Sequence, residues 1–251
     1  MSVDFVEVVQ PQNVVPPESG HVLPSCAQKA DSCAVSRPGY ELSKRLVDVT
    51  VALLVLALLS PLWVLIGIIV RLTTPGPALY CVRRAVGKGG REFTVYKFRT
   101  MVHNNDDTLH KHAIARFIEG QPLDVVEKNG VQIPIYKLAH DPRVTSLGRI
   151  LRKTGLDEVP QFLNVLRGDM SVVGPRPPVY YEFEKYEEWQ RHRLDVLPGI
   201  TGLYQVTARS RATFEAMIEI DLEYVRRRSP WLDTKIFLIT PWVMLTGKGA
   251  H

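Results

Sequence analysis

The chain has 251 residues, 45% of them hydrophobic and 23% charged, which fits one packed domain with appendages and excludes collagen-like, fully disordered and multi-span membrane classes. Its formal net charge of +5 points to an anionic partner: nucleic acid, an anionic membrane face or a phosphorylated substrate. Three cysteines (Cys26, Cys33 and Cys81) make no disulfide framework, which favours a reducing compartment.

Residues 1 to about 40 read as a disordered tail, with Pro11, Pro16, Pro17, Pro24 and Pro38 among polar residues and no sustained period. Cys26 and Cys33 have no further ligand at zinc spacing. From Val49 to Val70 runs a stretch of 22 residues without a charge, long enough to cross a bilayer and too deep in the chain for a signal peptide. Ser60-Pro61 interrupts it, where proline removes a backbone hydrogen bond. Lys44 and Arg45 precede the run, and Arg71, Arg83, Arg84 and Lys88 follow it. Basic flanks at both ends fit a hairpin entering and leaving by one face, and Asp48 suits an interface. On these features alone, re-entrant and spanning topologies both stay open.

Beyond it, Thr74-Pro75-Gly76-Pro77 is a turn, Leu79 to Val82 a strand, Gly87-Lys88-Gly89-Gly90 another turn and Phe93 to Met101 a second strand. Helical patterns follow at Thr108–Glu119, Asp157–Leu166, Pro178–Asp195, Thr213–Arg228 and Trp231–Thr246.

Four constellations carry chemistry, each beside a plainer reading. Lys97 and Arg99 share one strand face: a phosphate-facing pair or solvated cations. Arg152-Lys153 precede Asp157-Glu158-Val159-Pro160: helix capping, or a carboxylate kept ionised by cations as nucleophile or metal ligand. Arg176 stands between Pro175 and Pro177-Pro178: a stiff connector, or a pre-ordered phosphate ligand. Asp221 falls inside the apolar stripe Phe214, Met217, Ile218, Leu222 and Val225, so it must meet a cation or a metal. His103, His110 and His112 beside Asp106 and Asp107 lack metal-site spacing, and no P-loop, Rossmann or nucleophile-elbow motif occurs.

In order along the chain come Lys44-Arg45, the broken apolar run, Lys97-Phe98-Arg99-Thr100-Met101, Asp141-Pro142-Arg143-Val144-Thr145 and Gly148-Arg149. Then follow Leu156-Asp157-Glu158-Val159-Pro160-Gln161, the segment from Asn164 to Pro177 (NVLRGDMSVVGPRP), and Leu197-Pro198-Gly199-Ile200-Thr201-Gly202. From about Leu42 to Ala250 the chain resembles the bacterial sugar transferase family, the monotopic phosphoglycosyl transferases, in a short catalytic-core form. Tyr204 stands where the family often has Trp, and Ala208 where it often has Gly.

The resemblance implies an α+β, mostly helical, membrane-associated fold with a re-entrant hairpin broken at Ser60-Pro61, a small β-hairpin or sheet and amphipathic interfacial helices. The 1–40 tail lies outside the resemblance, which implies a 41–72 re-entrant membrane helix and a 73–251 catalytic domain on the cytoplasmic face of the inner membrane. The implied activity is transfer of a sugar-1-phosphate from a UDP-hexose to undecaprenyl phosphate with release of UMP, the first membrane step of exopolysaccharide, capsule or O-antigen assembly. By resemblance Asp157 is the nucleophile forming a covalent phosphosugar, Glu158 assists proton removal, and Mg2+ sits by Asp157. Lys97, Arg152, Arg176 and Asp221 match positions lining the site, with Arg99 and Arg209 as further substrate-binding candidates. No nucleic-acid partner is expected, and a homo-oligomer is left open. The alternative is a non-catalytic membrane-tethered binding or scaffold protein of a glycan-assembly complex.

Overall fold

The computed structural model describes residues 37–103, 108–128, 131–136, 141–208 and 211–246. The tail expected over residues 1–40 therefore falls almost wholly outside the described residues, as do Cys26, Cys33, Asp106, Asp107 and Arg209.

Two helices open the fold: α1 (Pro38–Leu58) and α2 (Ser60–Thr73), bent by 63° across Leu59. The break is one residue earlier than expected, because Pro61 is tolerated inside the first turn of α2, where its missing N–H has no intrahelical partner to lose. Among the described residues no single helix is long and apolar enough to cross a membrane, although this bent pair meets the test together. Leu58 and Leu72 are each 80% exposed, and Leu42, Leu54, Val64 and Leu65 are also exposed. So large an apolar surface is unusual for a protein bathed in water on all sides.

The opposite face of α1 is bound into the protein. Ala52 is fully buried in the main core, and Asp48 accepts a hydrogen bond from the Val172 N–H at 3.0 Å. Arg45 donates to the Val165 and Leu166 carbonyls, and Lys44 pairs with Asp233 at 2.8 Å. These three charges, expected as flanks of a membrane segment, thus serve as docking contacts of the helix.

Strands β1 (Leu79–Val86) and β2 (Glu92–Phe98) form an antiparallel hairpin, with Leu79 opposite Phe98 and a bulge between Val82 and Ala85. Helix α3 (Thr108–Ile118) follows, then a second hairpin of β3 (Asp124–Lys128) and β4 (Val131–Ile135). Helix α4 (Ser146–Thr154) leads through a 3-10 helix over Leu156–Gln161 into α5 (Phe162–Arg167). Strand β5 (Ser171–Val173) pairs in parallel with β6 (Gly199–Thr201). Between them lie two single-turn helices, α6 (Tyr180–Phe183) and α7 (Glu188–Arg191), and a 3-10 turn at His192–Leu194. The chain closes with α8 (Leu203–Thr207), α9 (Phe214–Arg227) and α10 (Pro230–Thr246). The architecture is α+β, with small two-stranded sheets inside a helical body.

The main core joins Val165, Val172, Val173, Tyr224, Val225 and Ile236 around β5. A second cluster packs Ile66 and Val70 of α2 against Phe98 and Leu151, with Leu156 at its edge. Helix α2 therefore shares a hydrophobic cluster with Leu156, the residue that precedes Asp157. The apolar stripe of α9 is buried as its spacing predicts, and α10 leaves Trp231, Leu238 and Trp242 exposed.

Candidate active site

Helix α4 ends at Gly155, whose φ of 69° lies in the left-handed region that favours glycine. The chain turns there into the 3-10 helix, with Asp157 and Glu158 in its first turn. No side chain caps that helix, so the reading of Asp157 as an N-cap fails and its carboxylate is left for other work.

Strand β2 supplies the cation. Asn164, fully buried on α5, accepts from the Tyr96 N–H at 3.1 Å and donates to the Thr94 carbonyl at 2.7 Å. This amide clamp fastens β2 to the segment that follows the dyad. Lys97, next along the strand, places Nζ 3.1 Å from Glu158 Oε1. Asp157 is 8% exposed, whereas the Glu158 side chain keeps 35% exposure.

The two carboxyls are driven in opposite directions. Burial first, and the adjacent Glu158 carboxylate second, push Asp157 above the usual carboxylate range, against the pull of Lys97 and Arg152. Burial acts the same way on Glu158, but Lys97 and Arg176 together outweigh it and hold that carboxyl low. For Asp157 the enclosure outweighs the neighbouring cations, so its proton affinity is raised rather than lowered. Glu158 is the carboxylate more readily present as the anion, and Asp157, once ionised, is the more basic nucleophile.

Arg152 and Arg176 complete the cluster. Arg152, in the last turn of α4, donates Nε to Thr100 Oγ1 at 2.9 Å. Arg176 is exposed on a loop held from β6: the Gly174 N–H donates to Thr201 O at 2.8 Å, and the Gly199 N–H to Pro175 O at 2.8 Å. A Cβ on Gly174, Gly199 or Gly202 would overlap facing backbone, so the close approach requires glycine at all three.

Arg99 and Asp221 do not join them. The strand ends at Phe98, so the alternation that pairs Lys97 with Arg99 stops short. Arg99 is 5% exposed and donates to the carbonyls of Val70, Thr74 and Pro75, tying down the end of α2. Asp221 is fully buried and takes its partner from Arg193, as the salt-bridge reading expects. Arg209 lies outside the described residues. Asn164, Thr100 and Arg193, the partners of Tyr96, Arg152 and Asp221, are not singled out by the sequence; a lone Asn inside the apolar Phe162–Leu166 run is the available signal for the first.

Among the described residues no three His, Cys, Asp or Glu gather as a metal cage. Two adjacent carboxylates beside Lys97, Arg152 and Arg176 are instead a donor set that would suit Mg2+ shared with a ligand's phosphates, for which one or two carboxylates suffice. The residues present fit such an ion, and Asp157 would be its protein ligand.

The bacterial sugar transferase family matches residues 39–247. The chain is 38% identical over 215 residues to the exopolysaccharide production protein ExoY of Sinorhizobium fredii, covering 86% of this chain and 91% of that one. It is 39% identical over 216 residues to the galactosyl transferase CpsE of Streptococcus agalactiae serotype III, covering 83% of this chain and 43% of the relative. With the undecaprenyl-phosphate galactose phosphotransferase of Salmonella typhimurium it shares 38% identity over 208 residues, 83% of this chain and 41% of the relative. The chain thus spans about two-fifths of the length of the latter two relatives. From the match over residues 39–247, this chain belongs to the bacterial sugar transferase family.

Proposed function

We propose that this chain is a phosphoglycosyl transferase moving a sugar-1-phosphate from a UDP-hexose to undecaprenyl phosphate, in exopolysaccharide or capsule assembly. The observation that carries this reading is the enclosed Asp157 beside the Lys97–Glu158 pair, within the fields of Arg152 and Arg176 and next to the bent helix pair.

In the first half-reaction an Asp157 carboxylate oxygen attacks the sugar-linked phosphorus. The bond from that phosphorus to the bridging diphosphate oxygen breaks, and UMP leaves with the electron pair. Asp157 then carries the phosphosugar as an acyl phosphate. In the second, an oxygen of the acceptor phosphate attacks the same phosphorus while Glu158 accepts any proton that oxygen holds. The bond to Asp157 breaks, and the carboxylate is restored. Lys97, Arg152 and Arg176 neutralise charge on the phosphoryl oxygens, the main requirement of such transfers. Mg2+ held by Asp157 and the diphosphate would add charge neutralisation of the same kind. Division into two steps lets two bulky substrates use one site in turn.

A lipid acceptor requires the site to lie at a membrane surface. The exposed apolar side chains of α1 and α2, with Trp231, Leu238 and Trp242 of α10 and Ile150 of α4, support a re-entrant hairpin and interfacial helices seated in the cytoplasmic leaflet of the inner membrane. The excess positive charge suits anionic lipid and anionic substrates, with no need of nucleic acid.

Detergent-purified protein, given undecaprenyl phosphate, Mg2+ and each of a panel of UDP-sugars, is expected to release UMP with one of them. Silence across the panel from folded protein would refute the UDP-sugar reading. Lys97→Met provides a second check. Removing the ammonium raises the proton affinity of both carboxyls, so activity should be lost at a higher pH as the solution is acidified. A pH–rate profile whose acid limb stays in place would separate Lys97 from the dyad.

A further inference from the structure

The exposed Arg176 side chain is presented by a backbone gripped at three nearby carbonyls. Gly199 N–H takes Pro175 O, and Val86 N–H takes Pro178 O at 2.9 Å. The third grip, on Arg176 O itself, is a side chain: Arg193 Nη2 donates to it at 3.0 Å. Arg193 is 1% exposed and sits in the 3-10 turn after α7. It gives Nε to Asp221 Oδ2 at 3.0 Å, a second bond from Nη2 to the same oxygen, and Nη1 to the Tyr186 hydroxyl at 2.6 Å.

Stability alone does not account for this pair. Two charges removed from water recover little that well-packed apolar residues would not supply. Asp221 Oδ1 is buried with no hydrogen-bond partner, which makes the arrangement costlier still. An apolar pair could not grip the Arg176 carbonyl. Asp221 is fully buried on α9 and so is placed to act through Arg193 rather than by meeting substrate.

We propose that the buried Arg193–Asp221 pair is a positioning device, in which Asp221 orients the Arg193 guanidinium, Arg193 fixes the Arg176 carbonyl, and Arg176 is thereby aimed at the donor diphosphate beside Glu158. The inference rests on Arg176 as a phosphate ligand of the proposed transferase.

A double-mutant cycle tests it on the full-length protein, with UMP release and thermal melting measured on every variant. Arg193→Lys keeps a charge for Asp221 but loses the fork that reaches Arg176 O. It is expected to lower kcat/KM for the donor roughly tenfold or more. In an Arg176→Ala background the same substitution should cost nothing further. Tyr186→Phe removes the hydroxyl that accepts from Arg193 Nη1 and donates to Glu182 but leaves the Arg176 grip, so it should lower the melt while kcat/KM stays within about twofold. Should Arg193→Lys fail to fold, Asp221→Asn, which keeps the side-chain shape, takes its place with the same expectations.

Multiplying losses in the double variant, or a Tyr186→Phe defect equal to that of Arg193→Lys, would overturn the proposal in favour of a purely structural pair. An Arg176→Ala variant with wild-type kcat/KM would remove Arg176 from the reaction and the positioning role with it. A wild-type protein with no turnover would instead refute the transferase reading, and the wild-type arm reads that outcome separately.

Discussion

Asp157→Asn is expected to lower UMP release by a factor on the order of 10^3 to 10^6, the range seen when a covalent nucleophile is removed. The same change should leave the thermal melt unchanged or raise it. Burial holds the folded-state pKa of Asp157 above its unfolded value, so at neutral pH the ionised carboxylate works against folding. A neutral amide of the same shape relieves that penalty. Glu158→Gln should do the reverse. The folded-state pKa of Glu158 is lowered, so its ionised form contributes stability that is present above the unfolded pKa and lost as pH falls through the folded one. Opposite shifts in melting from two adjacent substitutions, each impairing turnover, would mark a site that trades stability for reactivity. Wild-type turnover by Asp157→Asn would eliminate the nucleophile assignment. A melt lowered by both variants would show that both carboxylates serve the fold through the neighbouring cations rather than the reaction.

What was legible in the sequence follows from how locally each feature is determined. The apolar stripe of α9 is a matter of helical period, and both its burial and the demand that Asp221 find a cation follow from spacing alone. The β1–β2 hairpin is likewise punctuated by Gly87–Gly90, where Gly89 and Gly90 adopt φ of 66° and 79°. Helix α4 was missed because Gly148 and a run of cations hide a short helix whose Thr145 cap, accepting from the Gly148 N–H at 2.9 Å, is its main signal. The Pro178–Asp195 pattern breaks into single turns, since the cluster it faces takes up Tyr186 and Trp189 without a continuous helix.

The site shows the same division. Asp157, Glu158, Lys97, Arg152 and Arg176 form one cluster as the ordered motifs imply. Arg99 departs because its direction depends on where β2 stops and on three carbonyls at the end of α2. Arg193 lies 28 residues before Asp221, and no local pattern ties it to the Arg176 loop. Lys44, Arg45 and Asp48 read as a membrane boundary by composition, while their partners Asp233, Val165, Leu166 and Val172 come from distant chain segments. Long-range partners of charged groups are what a single sequence hides.

Gly148→Ala is expected to damage the site from a distance. In an isolated helix the change would favour folding by about 1 kcal/mol, since Ala is the better helix former. Here the added Cβ would sit 2.7 Å from Thr100 C and Cα and closer still to the Thr100 carbonyl oxygen. The obstacle is backbone, so no rotamer change removes it. That oxygen also accepts from the Thr145 N–H at 3.0 Å, and Met101 bridges Val144 alongside. Relief therefore requires α4 to lift away from the end of β2, breaking this seam and the Arg152–Thr100 bond. Overpacking of this kind costs about 1–3 kcal/mol, which for a chain of this size lowers melting by roughly 2–4 °C per kcal/mol. Because Arg152 rides on the displaced helix, kcat/KM for the donor should fall together with the melt. Lys153→Ala, exposed on the same helix, should change stability by no more than about 0.5 kcal/mol. A Gly148→Ala protein that melts at or above the wild-type temperature with full turnover would show that α4 does not lie against Thr100, and the route by which Arg152 reaches the dyad would then need another origin.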